Sequence, residues 1–393
     1  MTARPYRFAR RMAAVPPSFL GTLFAVSADP SVISFAGGLP ASAVLDAAGI
    51  AEAAADVLAD EGPAALQYST TDGYRPLREF IADRYRRRVG LDVTAANIQI
   101  VNGSQQCLDL VAKCLVDPGD TVAIEAPGYL GAIEAFSLYE PQLVAISVGE
   151  GGPDVAALEQ VVDRDHPKFF YAIPNAQNPS GLTYPDNTRK AVADLLDGSE
   201  TLLYEDDAFG ELFFDGRPRR PIGADLPGRA LLSGSFSKVL APGMRCGWIV
   251  APEEVLAQFN VAKQAADLHS NHLCQLVLHR WLTTRDLDGQ CRRVARIYEE
   301  NCQALVDELD DRCPELGHTT PEGGMFMLAH LPRGISSLAL FEEGVRQGVA
   351  VMPGPPFFLK GGDDVIRLNF SNTDPERCAE GVDRLAKALA VFR

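Results

Sequence analysis

The sequence predicts an α/β fold in which a doubly wound, mostly parallel central sheet is followed by a smaller α/β domain. Three observations carry this expectation. Between about residues 98 and 275, short apolar runs alternate with helix-period patterns, as in sheets whose parallel strands are joined by crossover helices. Turns rich in Gly and Pro separate these segments. Beyond about residue 275 the alternation gives way to longer helical patterns with two isolated strand-like runs.

Taken in order, Ile98 to Val101 reads as a strand that passes through Asn102-Gly103-Ser104 into a helix over 104–116. Leu108, Val111, Ala112 and Leu115 of that helix follow the i, i+3, i+4, i+7 rule. Further strands are expected at 121–125, 142–148, 169–173, 201–205, 230–235 and 246–250. A long helix near 290–310, strands near 325–329 and 365–370 and a closing helix near 375–391 form the second unit. The chain thus divides into an N-terminal arm (1–45), a large domain (46–275) and a small C-terminal domain (276–393).

Composition bounds the function. With 393 residues, 47% of them apolar, the chain can bury a substantial core. A formal net charge of −16 argues against a nucleic-acid partner. No run approaches the roughly 20 apolar residues of a membrane span, and Arg4, Arg7, Arg10 and Arg11 precede no signal-peptide core. The eight scattered cysteines, with no Cys-x-x-Cys pair, fit a reducing, cytoplasmic setting.

In open α/β sheets, ligands bind at the carboxyl ends of the strands. Four polar clusters fall there: Asn102 to Gln105, Asn175 to Gly181, Glu205-Asp206-Asp207, and Ser233 to Lys238. The fold therefore predicts that they converge. Lys238 is the most informative, because it sits in Gly234-Ser235-Phe236-Ser237-Lys238 with Arg245 seven residues on. A lysine amid hydroxyls beside an arginine suits a covalently held aldehyde cofactor whose phosphate needs gripping. Only seven lysines stand against 29 arginines, and no other lysine is flanked this way.

With these motifs the sequence resembles the fold-type I pyridoxal-phosphate enzymes of the class I and II aminotransferase branch. Ile33 to Pro40 (ISFAGGLP), Gly103-Ser104-Gln105-Gln106, Gln177 to Leu182 (QNPSGL) and Ser235-Phe236-Ser237-Lys238 look most like the 2-aminoadipate/kynurenine aminotransferase subgroup. The resemblance spans roughly residues 30–390 and implies the PLP-dependent transferase fold. It also implies that Lys238 forms the Schiff base with pyridoxal 5'-phosphate and shuttles the substrate's proton.

The same resemblance places Ser104, Gln105, Ser235, Ser237 and Arg245 at the phosphate, where a helix N-terminus favours an anion. It sets Asp206 against the ring nitrogen, Asn178 at the ring O3′ and Tyr129 on the ring face. Tyr68 would reach the phosphate across a homodimer interface. Arg367 would clamp the substrate carboxylate bidentately, helped by Asn178 and by close backbone approach at Gly37 and Gly38. Read without the resemblance, Ser104 is an ordinary helix cap, Asn178-Pro179-Ser180-Gly181 a turn, Tyr129 a packing residue and Arg367 half of an ion pair.

One position departs from the pattern. Where the family has a tyrosine three residues beyond the aspartate, this chain has Phe209. A phenol donor to O3′ is missing, which either a nearby hydroxyl or water replaces, or which redirects the quinonoid intermediate to elimination, cyclisation or oxidation. The reading adopted is a homodimeric aminotransferase moving the amine of an aromatic or long-chain L-amino acid to a 2-oxo acid such as 2-oxoglutarate. The N-terminal segment containing Ser18-Phe19-Leu20-Gly21, apolar from Leu20 to Val26, would cover the substrate side chain.

Other chemistries fit poorly. His269, His272, Cys274 and His279 are close in sequence but lack a zincin glutamate and a tetrahedral set, so no metal site is expected. Dinucleotide, Walker and nucleophile-elbow motifs are missing from the sequence. An aminotransferase-like effector domain fused to a DNA-binding module would need more than the thirty or so residues before the family-like region. A non-catalytic cofactor binder is opposed by the presence of Lys238, Asp206 and Arg367.

Overall fold

Every strand expected between residues 98 and 250 forms, and together they build one sheet in a computed structural model that describes residues 6–13, 15, 16, 19, 21, 26 and 29–393. Along the chain the strands are β1 (Ile33–Ser34), β2 (Ile98–Val101), β3 (Thr121–Ala126), β4 (Gln142–Gly149), β5 (Gly152–Pro153), β6 (Phe169–Ala172), β7 (Leu202–Asp207), β8 (Ala230–Ser235) and β9 (Gly247–Val250). The sheet order is β2-β9-β8-β7-β6-β3-β4-β5. Pairings from β4 through β8 are parallel, whereas β9 lies antiparallel between β8 and β2.

The apolar runs explain the burial. All four residues of β6 are buried, as expected of a parallel strand covered on both faces. Leu108 and Val111 of helix Ser104–Leu115 share a core with Leu256 and Phe259 of helix Glu253–Ala266. The opposite face packs Leu158 of helix Val155–Asp165 and Val192 and Leu196 of helix Asp186–Asp197. Each such side chain contributes about 1.5–3 kcal/mol on full burial.

Strand order reverses at β3. The chain leaves β3 for β4 on one side, then returns to β6 on the other before continuing to β7 and β8. A crevice opens beyond the carboxyl ends of β3 and β6, the usual ligand position in such sheets.

The C-terminal part holds β10 (Gly317–His318), β11 (Phe326–His330), β12 (Val349–Ala350), β13 (Met352–Pro353) and β14 (Val365–Asn369). Four of these make the antiparallel sheet β10-β11-β14-β13, whose Met327, Ile366 and Leu368 share a core with helices Leu287–Arg312 and Pro375–Ala390. Asp286 and Asp374 cap these helices by accepting the N–H groups of Gly289 and Arg377. The segment after β1 is stitched onto this unit: β1 pairs with β12, and the Asn369 N–H donates to the Phe35 carbonyl at 2.8 Å. Residues 36–39 are thereby carried to the mouth of the crevice, beside β14. Among the described residues no helix is long and apolar enough to cross a membrane.

Candidate active site

The carboxyl ends of β2, β3, β6, β7 and β8 lead into one cavity of about 320 Å³, to which they contribute Ser104, Tyr129, Asn178, Asp206 and Lys238. Gly38, Ser237, Arg245, Phe326 and Arg367 complete its walls. Four clusters scattered through the sequence therefore meet at the switch point. A separate cavity behind Ser235, lined by Tyr85, Phe236 and Trp248, has its charged neighbours tied off, with Arg84 bonded to Glu211 and Asp288.

Lys238 follows β8 through a tight hydroxyl turn: the Ser235 Oγ donates to the Ser237 Oγ at 2.9 Å and accepts the Ser237 N–H. The Lys238 Nζ reaches across the cavity and donates to the Gly38 carbonyl at 3.0 Å. Burial, reinforced by the nearby charges of Arg367 and Arg245, lowers its pKa to about 8. This is an amine that loses its proton readily.

Asp206 is 3% exposed. Its oxygens accept from the Ser233 Oγ at 2.7 Å and the Tyr171 Oη at 2.8 Å. Burial raises its pKa, while the two hydrogen bonds oppose the shift. No cation pairs with it among the described residues. The flanking acids have other partners. Glu205 accepts the N–H groups of Ile222 and Gly223, and Asp207 accepts from the Asn175 amide at 2.8 Å.

An anion corner forms where β2 enters its helix. Gly103, at φ +74°, is the N-cap of helix Ser104–Leu115 and offers no side chain to occupy the first-turn N–H groups. Arg245 adopts the left-handed conformation at φ 52° and donates to the Asn102 and Pro242 carbonyls. Gln105 and Ser235 stand one layer behind the wall. Gln105 donates to the Gly131 carbonyl and accepts from the Tyr129 hydroxyl at 3.2 Å, which orients that ring.

At the opposite end lies Arg367, 4% exposed on β14. Its Nη1 donates to the Asn178 Oδ1 at 3.0 Å and its Nη2 to the Ala36 carbonyl at 2.7 Å, while Nε has no partner. The guanidinium lies 4.1 Å from the Phe326 ring centroid and 5.0 Å from that of Phe357. Burial pulls its pKa down to about 9. It forms no ion pair among the described residues, so it is not half of a structural salt bridge.

Phe209 is buried, lines the same cavity and meets Phe326 edge-on at 5.9 Å. Tyr68 is not brought to the cavity within the chain. It is 77% exposed and lies against His269. His272 and His279 pack edge-on against Tyr74. Of the proposed N-terminal cover, Ser18, Leu20 and residues 22–25 lie outside the described residues, while Phe19 packs against Phe341.

Several contacts within the site carry no sequence signal, although Ser233 and Gln177 lie in polar clusters of the sequence. Tyr171 and Ser233 reach Asp206 only through strand register, since Ser233 is its partner on β8 and Tyr171 lies on neighbouring β6. Gln177 ties the Asn178 loop to β3 by donating to Glu125 and the Pro127 carbonyl. Glu125 also accepts from Tyr184 and the Ile173 N–H, and burial raises its pKa to about 7. Phe326, at the start of β11, and Phe357, in the short 3-10 turn Pro355–Phe357, are distant in sequence from the other site residues, although Gly323-Gly324 before β11 marks a close backbone approach.

A lone amine, a lone carboxylate, an anion corner and an unpaired guanidinium thus surround one slot beside an aromatic ring. The description "aminotransferase class I and II" belongs to a family model that matches residues 32–385. The 2-aminoadipate transaminase of Thermus thermophilus is 41% identical over 389 residues, 97% of this chain and 96% of that protein. Aromatic-amino-acid aminotransferase 1 of Thermococcus litoralis is 37% identical, covering 91% and 88% of the two chains. The crystal structure of an alpha-aminoadipate aminotransferase from Thermus thermophilus, complexed with N-(5'-phosphopyridoxyl)-L-leucine, superposes with a TM-score of 0.92. It shares 39% identity and covers 98% of this chain and 97% of that one.

Proposed function

Because this chain belongs to the class I and II aminotransferases and is a pyridoxal-phosphate-dependent enzyme, we propose that Lys238 is its catalytic lysine and that aromatic or long-chain L-amino acids are its donors. One observation carries the assignment. Lys238, Asp206 and Arg367 face a single cavity, and none has an oppositely charged side chain beside it among the described residues.

The residues fit the cofactor. An unpaired buried carboxylate at one wall matches a ring N–H, and the corner at Gly103, Ser104 and Arg245 matches a phosphate. Pyridoxal phosphate supplies an aldehyde that takes up an amine and a ring that withdraws the electron pair left at the substrate Cα. Lys238 would hold the aldehyde covalently and move the proton from the Cα through its Nζ. Ser104, Ser237 and Arg245 would hold the phosphate, with Ser235 orienting the Ser237 hydroxyl from behind and Gln105 setting the Tyr129 ring against the cofactor face. Asn178 has its oxygen engaged by Arg367, which leaves its amide donors for O3′. Arg367 would take the substrate carboxylate in a two-pronged hydrogen bond, with the Gly38 backbone alongside.

The donor class rests on the names of the relatives and on the apolar side of the cavity, where Leu39, Leu130 and Ile173 stand. The acceptor is a 2-oxo acid such as 2-oxoglutarate. The aminotransferase names of the relatives give no support to elimination, cyclisation or oxidation. The exposed Tyr68 fits a role across a homodimer interface, eight unpaired cysteines fit the cytoplasm, and the two larger sheets fit a large and a small domain, although helix His272–Thr284 runs unbroken through the expected division at residue 275. The test is a panel of amino acids given to the holoenzyme without acceptor, followed by absorbance and mass spectrometry. The expected products are 2-oxo acids from aromatic and long-chain donors; release of ammonia or peroxide would overturn the reading.

A further inference from the structure

We propose that Tyr171 and Ser233 are positioning residues that keep Asp206 ionised and aimed into the cavity, so that the ring nitrogen of the bound cofactor retains its proton. This rests on the assignment of Asp206 made above. A buried carboxylate favours its neutral form, and a neutral Asp206 could not hold a proton on the ring nitrogen. Stabilisation has to come from donors, and among the described residues no cation supplies it.

The geometry provides two. Ser233 is the β8 partner of Asp206 in register, and its Oγ donates to Oδ1 at 2.7 Å. Tyr171 points from β6 on the other side, and its Oη donates to Oδ2 at 2.8 Å. Each carboxylate oxygen therefore receives one hydroxyl from a neighbouring strand, and neither hydroxyl lines the cavity. The carboxylate is held from behind, with its remaining lone pairs free toward the cofactor.

Tyr171 is well suited to donate. Its ring is fully buried, edge-on to Tyr204 at 5.1 Å and Phe136 at 5.4 Å, so its orientation is set by packing. Burial and the Asp206 charge both raise its pKa, which keeps the phenol protonated. The other titratable groups that sense Asp206 are the Tyr129 and Tyr204 phenols and the Cys107 thiol, all raised by burial, and the carboxyls of Glu125 and Asp207, both shifted upward. None of them can supply a positive charge. Two neutral hydroxyls thus do what a cationic neighbour would otherwise do.

The experiment uses holoenzyme reconstituted with cofactor labelled with 15N in the ring. Wild type is expected to give the chemical shift of a protonated ring nitrogen at pH 7.5, and Asp206→Asn that of a neutral one. The Tyr171→Phe/Ser233→Ala double variant is expected to move toward the Asp206→Asn value and to bind the cofactor at least about tenfold more weakly, the size of one lost hydrogen bond to a charged group. Ser233→Thr, which keeps the hydroxyl, should stay at the wild-type value. Thermal unfolding of each apoenzyme identifies any variant whose fold is damaged, and for such a variant each single substitution is read in its place. A double variant with the wild-type shift and affinity overturns this proposal while leaving the Asp206 assignment intact. An Asp206→Asn enzyme with the wild-type shift overturns the assignment itself.

Discussion

A side chain at position 103 would place its first carbon 2.5 Å from the Nη2 of Arg245. Gly103 therefore does two things: it adopts a φ of +74° at the helix entry, and it leaves the space that the guanidinium fills. Gly103→Ala should displace Arg245 and weaken cofactor binding at least about tenfold, with a loss of stability of about 1 kcal/mol or more. Gly119→Ala is the control, since its φ is +94° and nothing lies within 4 Å. It should lower the melting temperature and leave cofactor affinity unchanged. Equal affinity in all three proteins, measured by equilibrium titration of apoenzyme, would remove Arg245 from the phosphate corner.

The pH dependence of cofactor capture follows from Lys238. Its pKa is lowered to about 8 by burial first, then by Arg367 and Arg245. Only the unprotonated amine attacks an aldehyde, so raising the pH from 6 should speed capture by about tenfold per unit and the gain should level off above about 8. Removing a neighbouring positive charge relieves part of the depression. In Arg367→Met the midpoint should accordingly move to higher pH. Stopped-flow absorbance after adding cofactor to apoenzyme reads both curves. A midpoint that stays put, or falls, in the variant would show that the two cations do not sense each other.

Arg367 has an aromatic face where an ion pair would normally be found. Phe326, 4.1 Å from the guanidinium, holds it in the plane needed for a two-pronged carboxylate. A desolvated cation–π contact is worth about 2 kcal/mol, so Phe326→Leu should raise the donor KM by about tenfold or more. Arg367→Lys loses the fork and should raise KM further. Neither should change cofactor affinity by more than a few fold, because both sit at the substrate end. Steady-state kinetics beside a cofactor titration separates the two effects; a change confined to cofactor affinity would reassign Arg367.

The strands and the convergence of four polar clusters were legible because parallel strands are continuous apolar runs and their carboxyl ends carry polar turns. Lys238, Arg245 and Asn178 were legible because each sits in a short motif. The contacts of Tyr171 and Ser233 with Asp206 were not, since a cross-strand neighbour depends on register, and the order β8-β7-β6 is a long-range fact. Nor were Phe326 and Phe357, which meet Arg367 only when β11 and β14 pair and residues 355–357 fold over them. Helix ends shifted by a few residues for a local reason. Asp286 caps the helix that begins at Leu287, three residues before the periodicity suggests.

Phe209 gives the most direct test of how the departure from the family pattern acts. It lines the cavity with Lys238 and Asp206, and its ring edge meets Phe326 at 5.9 Å. Phe209→Tyr adds one oxygen without changing that packing. If the new hydroxyl donates to the cofactor's charged oxygen, a hydrogen bond of about 1.5–3 kcal/mol favours the deprotonated form. The pKa read from the bound cofactor's absorbance should then fall by about one to two units. Wild type would keep the protonated form to higher pH, the form more readily attacked by a donor amine, so Phe209→Tyr should lose activity first on the alkaline side. The measurement is a pair of absorbance titrations with matching pH–rate profiles. Superimposable curves would mean that another donor already occupies the place of the missing phenol.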